Sequence, residues 1–230
     1  MLEAIGLTKQ YSITEEGTNA DSKRTLFENL SFKAPKGALV VVRGASGSGK
    51  STLLRCIAQL ESLTSGDLTL HSHSFLAMRP EEWRTKVVYI PQKCPKFTGS
   101  PLDTLREISK LKNSKKSFID LFQSALDIGK ELQIQERLLY EDWSRLSGGE
   151  AQKMLNVITI ATEPQVVLLD EPTASLDPTS AAQLEEFFQK RRKDLVIFWV
   201  THDSAQEARI SPTLTLTLSP SAIHYHNHDQ

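Results

Sequence analysis

The sequence has almost no cysteine: Cys56 and Cys94 are the only two in 230 residues. A disulfide framework is therefore not expected, and a reducing compartment fits. Cys56 falls within an apolar helical pattern, where burial is expected, whereas Cys94 stands in a proline-rich loop and its role stays open. Long hydrophobic runs are also missing. The longest, "ALVVV", "QVVLL" and "DLVIFWV", are strand-sized, well short of the roughly 20 residues that span a bilayer. The N-terminal "MLEAIGLTKQ" lacks the apolar core of a secretory signal. Neither sign of charge is in excess. The 27 Lys+Arg face 28 Asp+Glu, for a net charge of -1, which gives no electrostatic case for nucleic-acid binding. No internal repeat and no low-complexity tract occurs. These absences leave a soluble, cytoplasmic chain that reaches a membrane only through a partner.

What is present alternates between strand and helix. "ALVVVRG" (Ala38–Gly44) is a short apolar run that ends in glycine, and Leu53, Leu54, Ile57 and Leu60 then fall at helical spacing. "GDLTLHS" (Gly66–Ser72) alternates like an antiparallel strand with one wet face. "KVVYIPQ" (Lys86–Gln92) is a further strand, stopped by Pro91. Between about residues 97 and 163 strand signals vanish. Leu121, Phe122, Ala125, Leu126 and Ile128 recur at helical spacing, which reads as a helical subdomain inserted in one domain of residues 1–230. "QVVLLD" (Gln165–Asp170) and "LVIFWVTHD" (Leu195–Asp203) are continuous apolar strands, the pattern of a parallel sheet buried on both faces. A helix over about Ser180–Arg192 separates them. "TLTLTL" (Thr213–Leu218) is expected to close the sheet at an edge. The polar stretch Ser12–Thr25 is expected to be a flexible hairpin or loop.

Two segments carry the chemistry of phosphate binding. "GASGSGKS" (Gly44–Ser51) matches G-x-x-x-x-G-K-[ST] between a strand and a helix, the context that this loop requires. Gly44, Gly47 and Gly49 let backbone N–H groups turn inward around phosphate oxygens, with Ala45, Ser46 and Ser48 completing the loop and Thr52 following it. Lys50 is expected to reach the β- and γ-phosphates, and Ser51 to ligate Mg²⁺. "VVLLDE" ends a buried strand in two carboxylates, a costly arrangement unless they meet a cation. Asp170 is expected to hold Mg²⁺ and Glu171 to polarise the attacking water. A second anion-binding helix start, "LSGGE", lies at Ser147, Gly148 and Gly149. It is too distant along the chain to share the first loop's phosphate, and so it is expected to act in trans.

"GASGSGKS", "LSGGE", "VVLLDEP", "SLD" and "THD", in this order and spacing, resemble an ABC-type ATPase domain across essentially the whole chain. The "LSGG" element is the specific one, since the phosphate loop alone admits many NTPases. The resemblance implies an α/β fold of the P-loop NTPase class. Its core sheet is mostly parallel, with an antiparallel β subdomain and an inserted helical subdomain. It implies ATP and Mg²⁺ as ligands and head-to-tail pairing with a second ATPase subunit, expected to be an identical chain. Ser147, Gly148 and Gly149 then cap the γ-phosphate held by the neighbour. It also implies roles for single residues. Gln92 matches the glutamine that contacts Mg²⁺ or water and senses a membrane partner, and His202 the switch histidine at the γ-phosphate. Asp177 matches the loop that links the two sites, and Tyr11 the aromatic that stacks on adenine. Glu150 departs from the pattern, where glutamine is commoner.

The resemblance further implies a transport motor coupled to an integral membrane permease on a separate chain. The stretch after Gln92, "PQKCPKFTGSPLDTL", is similar to the phenylalanine-glycine pattern of exporter-type ATPases, and the length to small two-chain systems that include bacterial iron exporters and plant aluminium-tolerance ATPases. The alternatives are a soluble ABC ATPase acting on DNA or ribosomes and a nucleotide-dependent scaffold without turnover. The first usually carries tandem cassettes or a long coiled coil, and the second is opposed by the retained Glu171 and His202. Three histidines close the chain, His224, His226 and His228. On a strand they would share a face and could bind a transition metal, but no Cys or carboxylate cluster completes a geometry, and a frayed terminus is the other reading.

Overall fold

Val40, Val41 and Val42 are each fully buried, and the order of elements explains how both faces of one strand are covered. In a computed structural model, residues 1–14, 21–219 and 223–227 are described. The chain opens with β1 (Leu2–Thr14), β2 (Asp21–Ala34), β3 (Leu39–Gly44), α1 (Lys50–Ile57), β4 (Ser65–Leu70) and β5 (His73–Ser74). It continues through α2 (Pro80–Lys86), β6 (Val87–Ile90), α3 (Pro101–Lys110), α4 (Phe118–Glu131), α5 (Gly148–Ala161) and β7 (Val166–Asp170). It ends with α6 (Pro178–Arg191), β8 (Val196–Val200), α7 (Ser204–Ile210), β9 (Leu214–Leu218) and β10 (Ile223–Asn227).

Two sheets result. An antiparallel sheet runs β2-β1-β4-β5, and a six-stranded sheet runs β10-β9-β3-β8-β7-β6. In the second, β3, β6, β7, β8 and β9 are parallel, and only β10 joins antiparallel. The apolar runs read as buried strands divide by the two-residue period of the pleat. Leu39, Val41, Val167, Leu169, Ile197 and Trp199 face a core shared with α3, α4, α5 and α6. Val40, Val42, Val166, Leu168, Val196 and Phe198 face the other, shared with α1 and the antiparallel sheet. Each such side chain contributes about 1.5–3 kcal/mol when fully buried, so a one-residue slip of β3 would forfeit several at once.

The helices between β6 and β7 start on local signals. Ser100 caps α3 in a reciprocal box with Asp103, followed by Pro101 in the first turn, and Ser117 caps α4 with Asp120 in the same way. Among the described residues no helix is long and apolar enough to cross a membrane.

Four expectations need correction or limits. "TLTLTL" is not the edge: β9 lies between β3 and β10, and β10 is the outer strand. An alternating strand can sit inside a sheet when one face meets a core, and here Leu216 and Leu218 are buried. Leu60 does not continue the apolar face of α1; the helix stops at Ile57 and Leu60 is exposed. The polar stretch after Tyr11 is a hairpin whose strands pair as far as Thr14 and Asp21, and its tip lies outside the described residues. Of the terminal histidines, His224 and His226 lie on β10 opposite Thr217 and Thr215, and His228 is outside the described residues.

Candidate functional site

The parallel register brings the ends of four strands to one rim. Val42 of β3 lies opposite Val200 of β8, Val200 opposite Asp170 of β7, and Leu169 opposite Ile90 of β6. The residues that follow these ends gather where α/β sheets present their binding crevices: the phosphate loop after β3, His202 after β8, Glu171 after β7 and Gln92 after β6.

Gly44 ends β3 with φ +152, and a Cβ there would stand 2.5 Å from the Leu218 carbonyl oxygen and 2.6 Å from Ser48 Oγ. Glycine is the residue that this packing admits. Gly49, at φ 97, turns the loop into α1, whose first turn carries no acidic residue. Its free N–H groups and the partial positive charge of the helix start are available to an anion. Ser48 is buried, and its Oγ has no hydrogen-bond partner among the described residues. Lys50 is only 6% exposed, and its Nζ donates to the carbonyls of Gly44 and Ala45, 3.0 Å each. Burial lowers its pKa, and the charges of Glu171 and Asp170 act in the opposite direction. A glycine-lined turn, an orphaned hydroxyl and a buried ammonium fit a polyphosphate.

Asp170, the last residue of β7, is 4% exposed, and its Oδ2 accepts from the Tyr89 hydroxyl at 2.8 Å. Burial, and then this bond to Asp170, raises the Tyr89 pKa, so the phenol stays a neutral donor. Ser51 is half-buried at the start of α1. A hydroxyl, a carboxylate and the Gln92 amide are hard oxygen donors of the kind that Mg²⁺ takes. Among the described residues no three His, Cys, Asp or Glu side chains form a metal group of their own.

Glu171 follows in a left-handed conformation, φ 48, which a non-glycine residue adopts at a cost. The turn aims its carboxylate between two neighbours. Oε2 accepts from Gln92 Nε2 at 2.7 Å, and Oε1 lies 3.0 Å from His202 Nε2. Gln92 and His202 are exposed, so the group opens to solvent on one side.

Ser147, Gly148 and Gly149 form the start of α5. Ser147 is exposed at the N-cap of α5. Gly148 lines a cleft with Gln92, Lys96, Trp143 and Ser175, and no phosphate-loop residue lines it. Asp177 is the exposed N-cap of α6 and accepts from the Ser180 backbone N–H at 3.0 Å. Tyr11 is 38% exposed on β1, with its hydroxyl bonded to Glu61. Cys56 is buried, and Cys94 packs against the core with its thiol pKa pushed up to about 11 by burial; both thiols stay protonated at neutral pH.

A family model described as ABC transporter matches residues 27–174, more than half of the chain. The chain belongs to the ABC transporter family as an ATPase domain. Curated relatives agree. The phosphate import ATP-binding protein PstB 2 of Mycobacterium tuberculosis is 33% identical over 202 residues, covering 84% of this chain and 73% of that one. The probable iron export ATP-binding protein FetA of Escherichia coli is 29% identical over 196 residues, covering 83% and 84%. In fold, this ABC ATPase is similar to the ATP-binding cassette MJ0796, solved as a dimer in a post-hydrolysis state with ADP and Pi. The TM-score is 0.85, with 22% identity and all of both chains covered.

Two side chains of this ABC ATPase have no signal in the sequence. Tyr89 holds Asp170 from 81 residues away, and nothing in the local pattern of β6 signals it. Glu61 meets Tyr11 across 50 residues, equally without a local sign. Glu150 was legible: Ser147-x-x-Glu150 is a capping-box signature. Its carboxylate accepts from the Ser147 backbone N–H at 2.9 Å and from the Ser147 hydroxyl at 2.8 Å. These bonds hold its pKa below the usual carboxylate range.

Proposed function

We propose that the chain is the ATP-hydrolysing motor subunit of a membrane transporter. It works as a pair of ATPase subunits docked on a separately encoded integral permease at the cytosolic face. The observation that carries this reading is the meeting of a buried Lys50, Asp170, and the Glu171–Gln92–His202 group at one rim of the sheet, while the cleft at the Ser147 helix start is lined by Gln92 and by no residue of the phosphate loop. One subunit then has a complete cradle for a nucleotide and a spare anion cap for another. The MJ0796 cassette, which shares the fold, is itself described as a dimer.

In this cycle Tyr11 stacks on adenine and the loop of Gly44 to Thr52 wraps the phosphates, with Lys50 leaving its carbonyl partners for the β- and γ-oxygens. Ser51, Asp170 and Gln92 would hold Mg²⁺, which would supply positive charge to the phosphate oxygens. Glu171 takes the proton of a water whose oxygen attacks the γ-phosphorus, while the bond to the bridging oxygen breaks and ADP leaves with the electron pair. His202 steadies Glu171 and meets the γ-phosphate. Ser147, Gly148 and Gly149 of the partner subunit cap that phosphate from the far side, and Asp177 lies between the two sites. Loss of the phosphate removes the bridge and the pair opens, a motion that Gln92 and the helices after it pass to the permease.

For the cargo, the likeness to FetA and the Phe97–Gly99 pattern support export of a metal ion or other small solute. The likeness to PstB 2 points to import of an oxyanion. Purification of the tagged chain from gently solubilised membranes tests the class. A multispanning membrane protein in stoichiometric amount is the expected companion, and its identity decides the cargo. Ribosomes or nucleic acid in its place would overturn the transport reading.

A further inference from the structure

Glu61, in the turn after α1, is the meeting point of three side chains. Its Oε1 takes the Tyr11 hydroxyl and stands 3.2 Å from Lys9 Nζ, and its Oε2 lies 3.2 Å from Arg55 Nε. Arg55 sits in α1 and donates through Nη2 to Thr52 Oγ1 at 3.2 Å. The Thr52 hydroxyl also meets that of Tyr11. Lys9 is 6% exposed, is tied to the Ser62 carbonyl at 2.7 Å, and holds its ammonium 4.7 Å from the centroid of the Tyr11 ring. The Tyr11 ring therefore has one face beneath a buried cation, an interaction that favours a fixed ring. Its hydroxyl is tied to a carboxylate that is itself anchored on the phosphate-loop helix. Only the opposite face is left for stacking.

We propose that Glu61 is a positioning residue for the nucleobase: through the Tyr11 hydroxyl it fixes a one-faced aromatic platform at a set offset from the phosphate loop. The inference rests on the reading that Tyr11 stacks on adenine. A free, exposed tyrosine on a strand has several rotamers, and stacking would have to immobilise it. A ring already held meets no such cost, so the device acts on the affinity for the base and leaves the phosphate cradle alone.

The full chain is assayed for binding of MgATP and of inorganic tripolyphosphate, which lacks the base. Tyr11→Phe and Glu61→Ala should each weaken ATP by roughly three- to tenfold, the size expected for freeing one side chain, and leave tripolyphosphate unchanged. The double variant should be no weaker for ATP than Glu61→Ala alone. Loss of both ligands together in Glu61→Ala would mean that Glu61 only braces α1, and it overturns the proposal. If that variant does not fold, Tyr11→Phe decides, because it removes the hydroxyl and nothing else; unchanged ATP affinity then overturns the proposal. Tyr11→Ala separates the two levels. Unchanged ATP binding there defeats the stacking reading itself, whereas weakened binding with Tyr11→Phe and Glu61→Ala unaffected defeats only the role of Glu61.

Discussion

Glu171 Oε1 lies 3.0 Å from His202 Nε2, although the two residues leave different strands of the sheet. The contact depends on the left-handed turn at Glu171, which carries the carboxylate away from the strand and toward β8. Gln92 completes the triangle from β6 at 2.7 Å. A carboxylate held by an imidazole and an amide, with an open side, is oriented to receive a proton from water.

Glu171→Gln tests that orientation. The amide keeps the size and an acceptor oxygen but loses the basic site. ATP affinity should be preserved and turnover should fall roughly 10²–10⁴-fold, the range for a lost general base. Phosphate release at saturating ATP, measured beside nucleotide binding, reads both. Turnover at the wild-type rate would remove Glu171 from the mechanism.

Tyr89→Phe tests the support of Asp170. The ring and its packing remain, and the 2.8 Å bond to Oδ2 is lost. The Mg²⁺ concentration for half-maximal hydrolysis should rise roughly tenfold, as for other lost partners of metal-binding carboxylates. ATP binding in the presence of a chelator should not change. An unaltered Mg²⁺ profile would show that Asp170 orients itself.

Glu150→Gln tests the cap on α5. Glutamine can keep the reciprocal box with Ser147, so the helix start survives while a negative charge beside it disappears. Like charges at such distances repel across even a well-solvated boundary. The ATP-dependent pair of subunits should therefore tighten by roughly threefold or more, read by sedimentation at graded concentrations. A weaker or unchanged pair would contradict a phosphate arriving at Ser147.

Glu185 of α6 ties down α7, the helix that follows His202, and reaches the loop that carries Asp177 through Gln206. It is buried, pairs twice with Arg209 at 2.9 Å, and accepts from Gln206 at 2.8 Å. Gln206 in turn donates to Thr173 and accepts from Trp199. The Arg209 bonds come first among the causes that lower the Glu185 pKa. A depressed folded-state value means that the stabilisation is complete above the unfolded-state pKa, near 4.3, and is lost as pH falls through the folded value. Glu185→Gln should cost on the order of 2 kcal/mol at neutral pH. That is below the figure for a fully buried pair because Arg209 is half-exposed. The gap from wild type should close as pH drops below about 4. Denaturant unfolding at graded pH measures it, and a gap that stays constant would contradict the role of the charge.

Much of this was legible along the chain, and the reason is local. The valine-rich runs of β3, β7 and β8 announce a sheet covered on both faces because burial leaves no room for polar alternation. The phosphate loop needs only its own residues to be recognised, and Asp170–Glu171 reads as a site because two acids ending an apolar strand demand a cation. The contacts of Tyr89 with Asp170 and of Glu61 with Tyr11 were not legible. They form across 81 and 50 residues, and they depend on which strands lie side by side, an order that is not the order in sequence. The place of β9 failed for the same reason: alternation marks one covered face, and says nothing about whether a further strand lies beyond.

The account turns on each nucleotide being held from two molecules. Its most direct test is the structure of the Glu171→Gln chain trapped with MgATP. The expected result is a two-fold pair in which Ser147 Oγ stands within about 3 Å of a γ-phosphate oxygen, a hydrogen-bond distance, on the nucleotide held by Lys50 of the partner subunit. Ser147 open to solvent in every copy, with ATP bound by Lys50, would contradict it.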